Sequence, residues 1–381
     1  MDLFLLIPLV LTADLDYANG ANDVSRGIAT LVGSRVTDYR RALIWGTVWT
    51  FAGSALAIVV SIALVKTFTR GVLTETSNIG DTGRVLAISV MIAASLWVFL
   101  ATRTGLPVST THAIVGSLCG AGSFALGTDG ILWGSVFGKI VLPMVISPLV
   151  SMMLAYVSTP LVLLGLSGWG GHCFCVFPAR SALLTVEPSG TVQMTTMQPG
   201  LVAAVDVPAC DTPAEPRILS LRMGPNTFHW LTAGWTSFAR GLNDAPKVTA
   251  LMVGYMLLSG ETGIGLEWVF ATVALSMTAG AYLNGRRVTA SLAEKVTRMD
   301  HLQGFSANLI TSILVTVAAH FGLPVSTTHV STSAIVGMGL HNGVRSINWK
   351  MVSEMLTAWV VTAPLSALIA VCVAFLLSTL L

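Results

Sequence analysis

The chain has 381 residues, of which 54% are hydrophobic and only 10% charged, and its net charge is +2. Soluble domains carry about 25% charged residues, so this composition excludes an ordinary water-soluble globular protein. No strongly basic or acidic block is present, and nucleic acid is not an expected partner.

The charges leave long gaps. Residues 42–65, 85–102, 140–179, 302–344 and 355–381 contain no Asp, Glu, Lys or Arg. Several of these runs exceed the roughly 18 apolar residues that mark a transmembrane helix. In lipid every backbone group must be satisfied within the chain, so such spans are helices. The expected fold is an all-α polytopic membrane protein.

In chain order, MDLFLLIPLVLTA comes first. It carries Asp2 where a secretory signal would carry Lys or Arg, so it reads as part of the protein. The apolar stretch 3–13 is too short to span and runs into DLDYANGAND, which reads as a half-helix leading into a break, with Asp14 and Asp16 close to it. Arg35, Arg40 and Arg41 precede the span at 42–65, and a polar loop at 66–84 precedes the span at 85–102. GLPVSTTH follows at 105–112. Gly and Pro interrupt a helix, and Ser or Thr caps the next. Ser109, Thr110 and Thr111 are therefore expected to open a helix running into AIVGSLCGAG, at a break placed inside the membrane.

Residues 167–224 are rich in Pro, Gly, Ser and Thr, with short alternating runs such as ALLTVEP, TVQMTTM and LVAAVDV. They suggest a small extra-membrane β-rich module, read as cytoplasmic. His172, Cys173, Cys175 and Cys210 fit no zinc-ligand spacing, so free thiols are expected there. The five cysteines are odd in number and form no disulfide-like framework. Cys119 and Cys372 fall in apolar spans and read as packing residues.

The second half repeats the first. YANGANDVSRGIA (17–29) aligns with FARGLNDAPKVTA (238–250) at an offset of 221, matching Gly20 with Gly241, Asn22 with Asn243, Asp23 with Asp244 and Arg26 with Lys247. GLPVSTTH recurs letter for letter at 322–329, an offset of 217, with Ser326, Thr327 and Thr328 as the second tip. WGSVFGKIVLPMVISPL (133–149) resembles WKMVSEMLTAWVVTAPL (349–365) at an offset of 216. The expected organisation is an N-terminal repeat at 1–166, the central module at 167–224 and a C-terminal repeat at 225–381.

The loop at 34–41 is basic, whereas its counterpart at 254–268 holds only Glu261 and Glu267. Positive charge favours the cytoplasmic side, so the repeats are expected to be inverted, with the N-terminus outside. The loop at 285–300 carries four basic residues by contrast and reads as cytoplasmic. Two broken or re-entrant helices would then meet at a central site.

A helix N-terminus offers free N–H groups and a positive dipole end. Two tips bearing Ser109–Thr111 and Ser326–Thr328 would cradle a small, compact oxyanion. Asp23 and Asp244 lie in apolar segments, where an ionisable residue marks function. They would hold a cation such as Na⁺ or accept a proton. Asn22 and Asn243 could donate to the oxyanion or ligate the cation, and Gly20 and Gly241 allow close backbone approach. Arg26 and Lys247, three residues after each Asp, either attract the anion or neutralise the carboxylate. His112 and His329 either accept a proton from the substrate or cap a helix. Together these features imply anion–cation symport.

At GANDV (20–24), GLNDAPK (241–247), both GLPVSTTH copies and the GRRV…EKVTRMDHLQGFSANL stretch (285–309), the sequence resembles the inorganic phosphate transporter (PiT) family. The resemblance covers both membrane halves. It implies cation-coupled import of phosphate through an inverted-repeat fold, often dimeric, with Na⁺ or H⁺ as the coupling ion and no other cofactor. It also implies a multi-pass protein of a cell membrane, the inner membrane in a bacterium. Two positions depart from the pattern. Thr50 and Asn308 stand where many relatives carry an acid, which leaves fewer acceptors for a protonated anion and keeps sulfate as the alternative substrate. A passive anion channel would lack coupling carboxylates. An intramembrane serine hydrolase would need one asymmetric constellation rather than a duplicated motif. A structural scaffold would not explain paired intramembrane acids.

Overall fold

The computed structural model describes residues 3–74, 78–166, 172–179, 182–186, 192–196, 200–206, 219–221 and 225–380; for the short strands between 172 and 221 only the backbone is described. The first half runs through α1 (Leu3–Asp23), α2 (Ser25–Gly33), α3 (Tyr39–Val60), α4 (Ile62–Arg70), α5 (Asp81–Thr104) and α6 (Thr110–Leu126). It ends in α7 (Trp133–Leu166), which contains a π-helical turn at Val136–Val141. The second half comprises α8 (Pro225–Ser259), α9 (Leu266–Asn284), α10 (Arg286–Lys295), α11 (His301–His320), α12 (Thr327–His341) and α13 (Trp349–Leu380). Among the described residues, seven helical segments are long and apolar enough to cross a membrane: Leu3–Gly33, α3, α5, α7, α9, α11 and α13.

Polarity is distributed as a bilayer requires. Large apolar side chains such as Val59, Trp268 and Val360 are exposed, while Asn22, Asp23, Arg26, Asn243, Asp244 and Lys247 are buried. A soluble protein shows the opposite arrangement.

Residues 1–160 and 229–381 form one compact unit, so the two halves do not separate; Leu161–Phe228 forms a second. Within the second unit, β1 (His172–Ala179) pairs antiparallel with β4 (Gly200–Asp206) and with β5 (Leu219–Leu221), while β2 (Ala182–Val186) and β3 (Val192–Thr196) form an antiparallel pair. The expectation of free thiols at Cys173, Cys175 and Cys210, and the reading of His172, concern side chains outside the described residues.

The halves interlock through glycine. A Cβ on Gly20 of α1 would overlap the Met277 carbonyl of α9, and one on Gly280 of α9 would overlap the Tyr17 carbonyl of α1. The same exchange joins α8 to α3: a Cβ on Gly241 would meet the Thr50 carbonyl, and one on Gly53 the Phe238 carbonyl. In a membrane the hydrophobic effect does not press helices together, so close backbone approach at small residues supplies the packing. Each half therefore lends its Asn-Asp helix to a helix of the other half.

Gly20 and Gly241 allow the close backbone approach expected of them, here to a neighbouring helix. One sequence expectation is corrected: the anticipated half-helix break is much smaller. α1 stays helical through Asn22 and Asp23, and only Val24 separates it from α2, with φ −55° and ψ −29° still in the right-handed region. α8 runs unbroken through Asn243 and Asp244. The low helix propensity of Gly and Asn is overridden by the backbone packing of Gly20 and Gly241.

Replacing Gly20 or Gly241 by Val forces apart two helices from opposite halves. Overpacking of this kind costs about 1–3 kcal/mol. Either variant is expected to melt at a lower temperature than the parent in detergent, whereas Gly134→Val, with open space around it, is expected to melt like the parent.

Candidate functional site

The repeated octapeptide is a helix stop followed by a helix start. Gly105 and Gly322 close α5 and α11 with φ of +76° and +68°, a left-handed conformation that favours glycine. Leu106 and Leu323 then return their N–H groups to the Ala101 and Ala318 carbonyls. Beyond the proline, Ser109 (φ −96°, ψ 111°) and Ser326 (φ −91°, ψ 112°) are extended. Each Oγ accepts the backbone N–H three residues on, from His112 and His329, both at 3.3 Å. These are N-caps, as expected. Both tips are buried, with Thr110, Thr111, Thr327 and Thr328 each no more than 5% exposed.

The tips cross. Thr328 Oγ1 donates to the Val108 carbonyl of the opposite tip at 2.8 Å, and Thr111 Oγ1 donates to the Val325 carbonyl at 3.4 Å. Each of these hydroxyls also accepts from the cation of the other half: Arg26 Nη2 reaches Thr328 Oγ1 at 3.0 Å, and Lys247 Nζ reaches Thr111 Oγ1 at 2.8 Å. A hydroxyl can donate and accept at once, and that double role ties the two halves together. Thr327 Oγ1 donates to Asp23 Oδ2 at 3.1 Å, and Thr110 Oγ1 donates to Asn19 Oδ1 at 2.9 Å.

Both cations are paired with the Asp three residues earlier in the chain. Arg26 Nη2 lies 3.1 Å from Asp23 Oδ1, and Lys247 Nζ lies 3.1 Å from Asp244 Oδ1. Of the two readings open in the sequence, neutralisation of the carboxylate is the one seen here. Arg26 also donates to Asn22 Oδ1 and Ser25 Oγ, and Lys247 to the Val325 carbonyl. Asn22 Nδ2 donates to Thr102 Oγ1 and the Leu106 carbonyl, while Asn243 Nδ2 donates to Asp244 Oδ1 and the Val325 carbonyl. The halves differ in one respect. Both oxygens of Asp23 have protein donors, but Asp244 Oδ2 and Asn243 Oδ1, though buried, have none among the described residues.

The remaining expected residues fall outside this knot. The His112 and His329 rings lie 4.5 Å apart, and His329 stacks on Trp359 at 3.8 Å. Both line a mainly apolar cavity of about 540 Å³ with Met144 and Trp359. His112 Nδ1 is 2.8 Å from Ser109 Oγ, so this ring supports its own cap. Asn308 Nδ2 donates to Thr30 Oγ1 at 2.7 Å, in a network with His229. Asp14 is exposed; Asp16 is buried and accepts from Asn19.

Sequence reasoning passed over Arg240, Asn19 and Thr102. Arg240 carried a visible signal, being a charge inside the repeated FARGLND block where the first copy has Asn19. Its side chain is 1% exposed, and its Nη2 donates to Thr50 Oγ1 at 2.9 Å. Thr102 lay hidden because its hydroxyl matters only through the fold.

The family model described as "Phosphate transporter family" matches residues 19–370. The chain belongs to that family. A relative named as a phosphate permease in Thermococcus kodakarensis is 27% identical over 402 residues, covering 97% of this chain and 96% of its own. One named as a low-affinity inorganic phosphate transporter in Mycobacterium leprae is 26% identical over 373 residues, covering 96% of this chain and 76% of its own. A solved structure described as a sodium-dependent phosphate transporter is 22% identical, covers 100% of both chains and superposes with a TM-score of 0.78, which shows a shared fold.

In this member of the phosphate transporter family, a cavity of about 630 Å³ adjoins the knot. Tyr17, Ala18, Ala21, Thr102, Arg103, Arg286 and Arg287 are among its lining residues. Thr102 is the hydroxyl that Asn22 contacts, so three guanidinium groups share this cavity with a residue one hydrogen bond from the Asn-Asp motif.

Breaking a buried ion pair by removing one partner costs about 3–5 kcal/mol. Asp23→Ala strands Arg26 and is expected to lower unfolding stability in detergent by that order. Asp23→Ala combined with Arg26→Met removes both charges and is expected to regain a large part of the loss. Equal destabilisation in the single and double variants would show that Asp23 and Arg26 do not form a pair that matters.

Proposed function

We propose that the protein is a secondary transporter that imports inorganic phosphate by symport with Na⁺. The observation that carries this reading is the crossed pair of helix tips. Each tip brings first-turn N–H groups and buried hydroxyls, and each is held by a cation from the opposite half. An oxyanion between the tips would be bound by Ser109–Thr111 and Ser326–Thr328 together, with Asn22 and Asn243 beside it. Membership of the phosphate transporter family supports phosphate as that oxyanion.

The acceptors left over suit the cation. Hard cations take carboxylate, amide and carbonyl oxygens, and Asp244 Oδ2 with Asn243 Oδ1 offers two such atoms in a buried setting. Asp23 is the corresponding acid of the first half and becomes available when Thr327 and Arg26 rearrange. A cation beside the tips offsets the charge that phosphate brings into a low-dielectric interior. The likeness to a structure described as sodium-dependent favours Na⁺ over H⁺.

The two halves act in this reading as inverted repeats, 1–166 and 225–381, whose crossed tips exchange partners as access alternates. The basic cavity at Arg103, Arg286 and Arg287 would concentrate anions beside the site on the cytoplasmic side. The N-terminus lies outside, residues 167–224 form a cytoplasmic β-rich module, and the chain works as a homodimer in the cell membrane, the inner membrane in a bacterium.

Labelled phosphate uptake into proteoliposomes tests the reading. An inward Na⁺ gradient is expected to drive accumulation, excess sulfate to leave it unchanged, and Asp244→Asn to abolish the Na⁺ drive. Accumulation driven by a proton gradient alone would replace Na⁺ with H⁺. Uptake of labelled sulfate in place of phosphate would overturn the substrate, and flux indifferent to both gradients would overturn symport.

A further inference from the structure

Among the described residues, the unit formed by 1–160 and 229–381 buries three arginine or lysine side chains, Arg26, Arg240 and Lys247, each 1% exposed. Arg26 and Lys247 each pair with a carboxylate and donate to a threonine of the opposite tip and further oxygens, although the Nε of Arg26 has no acceptor among the described residues. Arg240 is different. Among the described residues its side chain makes one hydrogen bond, Nη2 to Thr50 Oγ1, and no ion pair. Its Nε and Nη1 nitrogens have no protein acceptor although they are buried. Burying a guanidinium is costly unless its charge and its N–H groups are matched.

Its position narrows what that match is. Arg240 precedes Asn243 and Asp244 by three and four residues on the unbroken helix α8, so it shares their face. The carboxylates whose charge acts on it are Asp23, Asp244 and Asp16, two of them the acids of the Asn-Asp motifs. Its counterpart in the first half, Asn19, directly holds Thr110 of the first tip. The repeat aligns Arg240 with Asn19, although its own hydrogen bond runs to Thr50 of α3. A third basic residue is thus buried on the Asn-Asp face of α8, with two nitrogens that lack an acceptor among the described residues.

We infer that Arg240 is a substrate-binding residue, and that one of its unpartnered N–H groups, at Nε or Nη1, donates to the oxyanion. This rests on the oxyanion-transport reading given above and adds a residue that the Ser-Thr-Thr tips do not imply. Arg26 and Lys247 are already neutralised by Asp23 and Asp244, so the tips themselves supply dipoles and hydroxyls but no unpaired positive charge. Arg240 supplies that charge. Guanidinium is suited to tetrahedral oxyanions because it presents several N–H donors in one plane. Thr50 holds the group at Nη2 and leaves N–H donors on both sides of the guanidinium without a protein acceptor among the described residues. The consequence is a preference for the doubly charged form: a fixed positive charge favours hydrogen phosphate over dihydrogen phosphate.

The experiment is equilibrium binding of labelled phosphate to the full chain in detergent with Na⁺ present, at several pH values spanning the second ionisation of phosphate. Wild type, Arg240→Lys and Arg240→Gln are compared. Wild type is expected to bind more tightly as pH rises and the dianion accumulates. Arg240→Gln is expected to bind at least about tenfold more weakly at the upper end, with the trend reversed so that affinity falls as pH rises. Arg240→Lys keeps the charge but loses the planar donor set, so it is expected to retain the wild-type trend at lower affinity. A purely structural arginine would weaken binding without changing its pH trend. Arg240→Gln that keeps the wild-type affinity, or loses affinity without altering the trend, overturns the inference. Should Arg240→Gln fail to elute as a single species, the lysine variant decides: affinity equal to wild type at every pH overturns the inference. Wild-type protein that binds no phosphate at any pH, yet elutes as one species, overturns the phosphate reading itself and this inference with it.

Discussion

The centre of the molecule is governed by the cost of holding charge away from water. Among the described residues, the acids Asp16, Asp23 and Asp244 and the bases Arg26, Arg240 and Lys247 are buried there, and an unmatched charge in such a setting is costly. Arg26 and Lys247 meet the constraint by pairing with the Asp three residues earlier on the same chain, then reaching across to a threonine of the opposite tip. The crossing is therefore a consequence of charge burial as much as of the sequence repeat. Once Thr328 and Thr111 serve both a cation and a carbonyl, neither tip can move without disturbing the other half. The oxyanion site proposed between the two tips rests on that linkage.

Glycine provides the framework for it. Gly20 against α9 and Gly241 against α3 let each Asn-Asp helix lie directly on a helix of the other half. The Asn-Asp pairs are thereby set on rigid helices, while the Ser-Thr-Thr residues sit at helix starts where Ser109 and Ser326 cap the N–H groups of His112 and His329. Both oxygens of Asp23 have protein donors, whereas Asp244 Oδ2 and Asn243 Oδ1 have none among the described residues. The sequence repeat is nearly symmetrical here, but the hydrogen bonding is not.

Much of this was legible in the sequence. Local signals gave the helix starts, because Gly-Leu-Pro followed by Ser encodes a stop and a cap without reference to the rest of the fold. Charge-free runs gave the membrane segments, and the offsets between Gly20 and Gly241 or Ser109 and Ser326 gave the repeat. Other features depended on tertiary contact. The break expected at DLDYANGAND shrank to Val24 because helix packing at Gly20 outweighs local propensity. The choice between attraction and neutralisation at Arg26 and Lys247 needed coordinates, since a spacing of three residues permits either. His112 contacts His329, which stacks on Trp359, an arrangement that brings together three distant points of the chain. Arg240 was visible as a charge in an apolar block, but the two unmatched nitrogens that give it meaning are a property of the folded interior.

The central claim is that one oxyanion is shared by both tips. It is tested most directly by the number of phosphate ions bound per chain at saturation, measured on wild type, Thr111→Val and Thr328→Val. The account expects one ion per wild-type chain and loss of that binding in each single variant, because either change disables the shared pocket. Two ions per chain, or binding retained in both variants, would mean that the tips act as separate sites and would contradict it.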